Sequence, residues 1–253
     1  TGRQLVHCIS VTHSRLCIFG AEVADAVNSV RSDLPLAEGD DYYVVPDGDH
    51  RPSLNWAQDL AEQSAHASDE NPGDSANNTI GETALYIFTS GTTGLPKAAL
   101  TSNRRYIMAG GLSGQAGLKL KPSDRIYLCL PLYHATGLLI GAGAAFSTGA
   151  SMFVRRRFSA SNFLADVRTH HCTSFVYIGE LCRYLANTQE KSTDLNNPIR
   201  SMIGNGMRPD VWLDFKKRFA IKNICEFYGA SEGNVSFANL FNKDCTVGMT
   251  SSV

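Results

Sequence analysis

The stretch Tyr86-Ile87-Phe88-Thr89-Ser90-Gly91-Thr92-Thr93-Gly94-Leu95-Pro96-Lys97 decides how the rest of the chain is read. The apolar run Leu85 to Phe88 reads as a buried strand that empties into a loop of hydroxyls and glycines ending in a lysine. Such a loop suits phosphate: glycines let backbone N–H groups turn inward, hydroxyls add donors, and lysine adds charge. The Walker A pattern Gly-x-x-x-x-Gly-Lys-Ser/Thr is absent, because Gly91 and Gly94 stand too close together and Lys97 follows a proline. A polar surface turn is the bland alternative for any Ser/Gly/Thr loop.

A second signature lies downstream, Glu226-Phe227-Tyr228-Gly229-Ala230-Ser231-Glu232-Gly233-Asn234. Between the two stand Pro131-Leu132-Tyr133-His134, Tyr177-Ile178-Gly179-Glu180-Leu181-Cys182-Arg183-Tyr184 and Gly204-Asn205-Gly206-Met207-Arg208-Pro209. Taken together, these strings resemble the adenylate-forming superfamily of acyl-CoA synthetases, luciferases and peptide-synthetase adenylation domains. The Tyr-Ile-Gly-Glu and Gly-Asn-Gly strings resemble one branch of it, the long- and very-long-chain acyl-CoA synthetases related to fatty acid transport proteins. The resemblance runs over nearly the whole chain.

It implies an α/β fold, the layered parallel-sheet N-terminal domain of these enzymes. It also implies residues upstream, and downstream a ribose-binding string, a hinge and a small C-terminal lid domain with a catalytic lysine. None of these is in the sequence, so residues 1–253 read as a partial AMP-binding domain truncated at both ends, with a candidate subdomain boundary in the linker 68–79.

The resemblance assigns Thr89, Ser90, Gly91, Thr92, Thr93, Gly94 and Lys97 to the β- and γ-phosphates of ATP, where anionic reactants need donors and cations. Glu232 is expected to hold magnesium, since a hard ion bridging phosphates takes one or two carboxylates plus water. A lone glutamate is otherwise more often solvated surface. Tyr228, Gly229, Ala230 and Ser231 accompany it, Tyr228 offering an aromatic face for adenine and Ser231 standing where most relatives carry threonine. Gly204, Asn205 and Gly206 follow a strand and precede a helix, where α/β sheets place ligands; a plain turn explains them equally well from local sequence. His134 is implied beside the substrate carboxylate as a positioning group, a structural histidine being the alternative. Thr89, Lys97, His134 and Glu232 are thus the catalytic candidates.

Hydrophobic residues make up 43% and charged residues 19% of the chain, which marks an ordinary globular protein. The formal charge of −1 gives no reason to expect nucleic acid. Seven cysteines form no CxxC pair, which favours buried thiols in a reducing, cytoplasmic compartment over disulfides or zinc. No signal peptide is legible at the start. Ala135 to Phe146 is too short to span a bilayer, which needs about 20 residues, and reads as a glycine-rich core helix. Its small glycines leave room for an acyl tunnel. Peripheral contact with a membrane and the oligomeric state stay open.

Along the chain, helices are expected over 4–12, 21–30, 54–63, from Thr101 or Ser102 to Gly110, and over 160–169, 180–187 and 210–219, with Ser159 and Pro209 at two of the starts. Strands are expected over 15–19, 42–45, 124–130, 151–154, 174–178, 199–203 and 224–228. This alternation argues for a doubly wound parallel sheet. His170-His171-Cys172 is set aside as a metal site, and Arg155-Arg156-Arg157 and Lys216-Lys217-Arg218 as solvated faces. The function implied is ligation of a long or very long fatty acid to coenzyme A, using ATP and magnesium. Rivals are a ligase for another acid such as carnitine or a short chain, a fatty acid transport or binding module without turnover, and a phosphate-loop NTPase.

Overall fold

Strands and helices alternate through the second half of the chain, and in the computed structural model those strands assemble into one sheet. Residues 2–89, 94–233 and 236–248 are described. The chain divides into two units, residues 1–79 with 88–99, and residues 80–87 with 100–253.

The first unit runs α1 (Arg3–Val11), β1 (Cys17–Gly20), α2 (Ala24–Asn28), β2 (Tyr42–Val45), β3 (Gln58–Asp59) and α3 (Leu60–Ser64). Its three strands pair in parallel in the order β1-β2-β3. Phe19 stacks on Trp56 and Tyr42 meets the same indole edge-on, each with centroids 5.4 Å apart, and these rings form the centre of its core. The helix expected from Leu54 starts only at Leu60. Gln58 and Asp59 are drawn into the sheet beside β2, and the Asp59 carboxylate then caps α3 by accepting from the N–H groups of Ala61 and Glu62. Residues 68–79 are exposed throughout and hold a single 3-10 turn, Gly73–Asn77.

The strand before the loop is not the buried strand of a parallel sheet. β4 (Thr83–Thr89) pairs with β5 (Lys97–Ser102) in a two-stranded ribbon that stands apart from the other sheets. A ribbon covered on one face buries alternate residues: Ile87 is 2% exposed, whereas Tyr86 is 44% exposed. The segment after the loop returns as β5 before Ser102 caps α4 (Asn103–Gly111), its Oγ accepting from the Arg105 N–H at 3.3 Å.

The second unit continues with β6 (Arg125–Leu128), α5 (Gly143–Thr148), β7 (Ser151–Val154), α6 (Phe163–Thr169), β8 (Ser174–Ile178), α7 (Gly179–Ala186), β9 (Ser201–Asn205), α8 (Pro209–Arg218), β10 (Asn223–Gly229) and β11 (Ser236–Ala238). The sheet order is β7-β6-β8-β9-β10-β11. All its neighbours are parallel except β11, an antiparallel edge strand that sequence reading did not provide. The five parallel strands follow the doubly wound 2-1-3-4-5 order, as the alternation required. Tyr127 lies at the centre of the core, its ring 5.1 Å from Phe163 and 5.8 Å from Phe175.

The glycine-rich stretch is a buried helix, wide-turned over Thr136–Ala142 and regular in α5. The room its glycines leave is already taken. A Cβ on Gly137 would strike the Pro131 carbonyl, and one on Gly141 would meet the Leu128 side chain at 2.7 Å. Gly143 lies against Gly110 of α4, so the space beside these glycines is filled by the protein itself and not left for an acyl chain.

α6 begins three residues later than expected because Ser159 caps a turn ahead of it, accepting from the Asn162 N–H at 3.4 Å. Arg155 turns toward α6 and pairs with Asp166 at 3.2 Å. Lys216 pairs with Asp244 at 2.6 Å, and Arg218 reaches back to Asp194 at 2.7 Å and to the carbonyls of Leu185, Ala186 and Thr188. Of those two basic runs, the first is therefore anchored by Arg155 and the second leaves only Lys217 fully on the surface. Cys129, Cys172, Cys182 and Cys225 are buried, Cys8 and Cys17 half-buried, and Cys245 exposed. Burial pushes the thiols of Cys172 and Cys225 up to about 11 and that of Cys129 to about 12. No helix among the described residues is long and apolar enough to cross a membrane.

Candidate functional site

In a parallel α/β sheet the side chains that meet ligands come from the carboxyl ends of the strands, where the connecting loops open. His134 lies in the segment that leaves β6, Asn205 and Gly206 at the end of β9, and Tyr228 to Glu232 at the end of β10. These sequence-predicted residues therefore share one edge of the second unit's sheet. Register brings Asn205 beside Ile178 of β8 and Gly204 beside Glu226 of β10.

The Gly204–Gly206 turn is built tightly. Tyr177 runs alongside Gly204 so closely that a Cβ there would collide with the Tyr177 carbonyl and lie 2.7 Å from its ring. Gly204 thus has a packing reason to be glycine. Gly206 is left-handed at φ +81°, which turns the chain toward α8. Asn205 carries a different signal: its Oδ1 is buried and has no hydrogen-bond donor among the described residues. An unpartnered buried acceptor costs free energy unless something supplies a donor.

Glu226 was missed as a site candidate, although a lone carboxylate within the apolar run Ile224-Cys225-Glu226-Phe227 is itself a signal. It is 2% exposed. The Tyr177 phenol donates to its Oε2 at 2.5 Å and the Met207 N–H to its Oε1 at 3.0 Å. Burial pushes its carboxyl above the ordinary range, against the pull of Tyr177 and of the Met207 and Gly206 N–H groups. One carboxylate thereby ties β8, β10 and the turn after β9 together.

After β10 the chain makes a turn closed by the Gly233 N–H donating to the Ala230 carbonyl at 2.9 Å. Glu232 is exposed on that turn, Ser231 is half-buried, and the Tyr228 ring is 63% exposed. A carboxylate free of the core on a short turn suits a hard cation, which keeps part of its water.

His134 is exposed, and its Nδ1 accepts from the Thr136 N–H at 3.3 Å. In the neutral ring that leaves the proton on Nε2, which is then a donor. His170 is occupied otherwise, stacked on Phe153 with centroids 3.9 Å apart. No group of three or more histidine, cysteine or carboxylate side chains is arranged to hold a metal among the described residues.

In the first unit, Thr89 ends β4 and its Oγ1 donates to the Lys97 carbonyl at 3.5 Å, spanning the loop's base. His7 Nε2 lies 2.9 Å from the Pro96 carbonyl, which ties α1 to the loop's far stem. Gly94 and the Lys97 side chain are exposed. Ser90, Gly91, Thr92 and Thr93 lie outside the described residues.

The sequence profile of the AMP-binding enzyme family matches residues 1–251. A medium/long-chain-fatty-acid–CoA ligase of Mycobacterium tuberculosis is 37% identical over 249 residues, which cover 98% of this chain and 40% of that protein. Long-chain fatty acid transport protein 3 of Homo sapiens is 38% identical over 250 residues, covering 98% of this chain and 36% of its own. The chain therefore spans well under half the length of these relatives. Among solved structures, ATP-bound MatB from Rhodopseudomonas palustris matches with a TM-score of 0.75 at 18% identity, over 95% of this chain and 45% of that one. The luciferase-like enzyme from the mealworm Zophobas morio matches with a TM-score of 0.76 at 20% identity, over 97% of this chain and 57% of that one. At these identities the structural likeness is one of fold.

Proposed function

The chain belongs to the AMP-binding enzyme family, and on that premise we propose that it is the ATP-binding portion of a long- or very-long-chain fatty acid–CoA ligase. Residues 1–253 are read as part of the AMP-binding domain, with a subdomain boundary in the linker 68–79. The observation that carries the reading is the carboxyl edge of the parallel sheet. There the donorless Asn205 Oδ1, the open Tyr228 face and the exposed Glu232 carboxylate come from neighbouring strand ends.

In this reading a fatty acid carboxylate oxygen attacks the α-phosphorus of ATP. The bond to the bridging oxygen breaks, pyrophosphate departs, and an acyl-adenylate forms. The thiol of coenzyme A then displaces AMP to give the thioester. Asn205 Oδ1 accepts from the adenine amino group, Tyr228 covers a face of the base, and Gly204, Gly206, Gly229, Ala230 and Ser231 shape the walls. Thr89, Ser90, Gly91, Thr92, Thr93, Gly94 and Lys97 supply donors and charge to the β- and γ-phosphates. His134 Nε2–H orients the attacking carboxylate, which needs no base because it is already ionised at neutral pH. Glu232 holds magnesium, which when bound screens the charge on the phosphates. We place the protein in the cytoplasm, with peripheral contact to a membrane.

Relatives named as transport proteins favour a second reading, a fatty acid binding or transport module that holds ATP without turnover. The test is thermal unfolding of this chain with magnesium-ATP and with non-hydrolysable acyl-adenylates of short, medium and long tails. A ligand at about 100 times its dissociation constant adds about 2.7 kcal/mol. The largest shift with long tails supports the fatty acid ligase, while the largest shift with short tails points to another acid. CoA-dependent release of AMP by the complete protein separates the ligase from the transport module.

A further inference from the structure

We infer that Arg105 is a positioning residue for Glu232, holding the Ala230–Gly233 turn in the shape that presents its carboxylate to magnesium; this rests on the reading of Glu232 given above. Arg105 lies in the first turn of α4, far from Glu232 in sequence. Its Nη1 donates to the Leu100 carbonyl at 3.3 Å, and its Nη2 donates to the Ser231 carbonyl. The plane of the guanidinium lies against Gly233, so close that a Cβ there would fall on Nη2, Cζ and Nε. One planar cation thus grips the turn on both sides of Glu232, by a charge-assisted hydrogen bond before it and by face contact after it.

The turn needs such a grip. Among the described residues its own closure is a single backbone hydrogen bond, Gly233 N–H to Ala230 carbonyl. Gly233 sits at φ +64°, a conformation that side chains rarely adopt, and Glu232 is exposed with no core packing to fix it. Arginine suits the task because its fork donates in two directions while its flat face packs on a glycine. A lysine at the same position keeps the charge and one hydrogen bond but not the flat contact.

The experiment is calorimetric binding of ATP to this chain in excess magnesium and again in EDTA, read as the ratio of the two affinities. Glu232→Gln reports on the reading itself, and Arg105→Ala on the inference. The expected result is a ratio reduced roughly tenfold in both variants, with the EDTA affinity of Arg105→Ala close to that of the unsubstituted chain. Arg105→Lys falls between the two. Gly233→Ala also lowers the ratio, and adding Arg105→Ala to it lowers the ratio little further, because the same contact is already lost.

An unaltered ratio in Arg105→Ala beside a reduced one in Glu232→Gln overturns the inference alone. So does a loss of affinity in Arg105→Ala that is equal in magnesium and EDTA, which is what a merely structural role produces. An unsubstituted chain that ignores magnesium, or a Glu232→Gln chain that keeps its ratio, overturns the reading and the inference with it. If Arg105→Ala does not melt cooperatively, Arg105→Lys decides on the same ratio.

Discussion

The Tyr177 phenol donates to the Glu226 carboxylate at 2.5 Å, and both residues are shut off from solvent. The pair joins β8 to β10 across β9, directly beneath the turn that carries Asn205. A carboxylate placed there does more than fill space, since its second oxygen fixes the Met207 N–H.

Replacing Glu226 by Gln keeps the volume but sets an amide N–H₂ against one of the two donors. The expected cost is about 1–3 kcal/mol in urea unfolding, together with weaker ATP binding. The pH dependence has a definite sign. Burial raises the folded carboxyl above its unfolded value of 4.5, so its contribution to stability is full below that value and declines as pH rises through the folded one. The gap between the unsubstituted chain and Glu226→Gln should therefore narrow from acidic toward neutral pH. A gap that widens instead refutes the assignment.

Asp124 behaves in the opposite sense. Its burial alone would raise it, but the Lys121 N–H at 2.7 Å, the Thr173 hydroxyl at 2.8 Å and the Arg200 guanidinium outweigh burial and hold it below 3.8. Its contribution is present above the unfolded value and lost as pH falls through the folded one. Asp124→Asn should cost about 2–3 kcal/mol at neutral pH, discounted because Arg200 is partly exposed. That cost should shrink in acid, and a constant cost in chemical unfolding at every pH would rule the account out.

Gly204→Ala tests packing apart from binding. The new methyl meets the Tyr177 carbonyl and ring, so the expected loss is about 1–3 kcal/mol of stability. A melting temperature equal to that of the unsubstituted chain would show that β8 and β9 are not packed this tightly.

Lys97→Ala tests binding apart from packing. The side chain is exposed, so stability should change by less than about 0.5 kcal/mol. Loss of a charge-assisted contact to phosphate should weaken magnesium-ATP binding about tenfold or more. Undiminished affinity in a titration removes Lys97 from the site.

The sequence carried much of this because local signals and tertiary structure agree over most of the second unit. The runs at 151–154 and 174–178, and the run at 42–45 in the first unit, are strands with those same bounds, since apolar or β-branched residues lie between turn formers. The ribbon of β4 and β5 was not legible, because local sequence does not tell whether a strand joins a large sheet or pairs only with its return segment. The start of α3 was missed for a related reason: neighbouring β2 recruits Gln58 and Asp59. In the site, the motif residues could be placed at strand ends from sequence. Glu226 and Arg105 could not be given roles, since their partners lie on other elements that only the folded chain brings near.

The distribution of thiols makes the chain its own reporter of opening. Cys245 is exposed and should take a maleimide label at once, with the half-buried Cys8 and Cys17 of the first unit following, so that these three labels set the baseline. Cys129, Cys172, Cys182 and Cys225 all lie in one core, and burial keeps them protonated. Their modification therefore requires that core to come apart, and counting labels by mass over time reads out how often it does so. A ligand bound at the carboxyl edge of the sheet should slow that clock without touching a single cysteine.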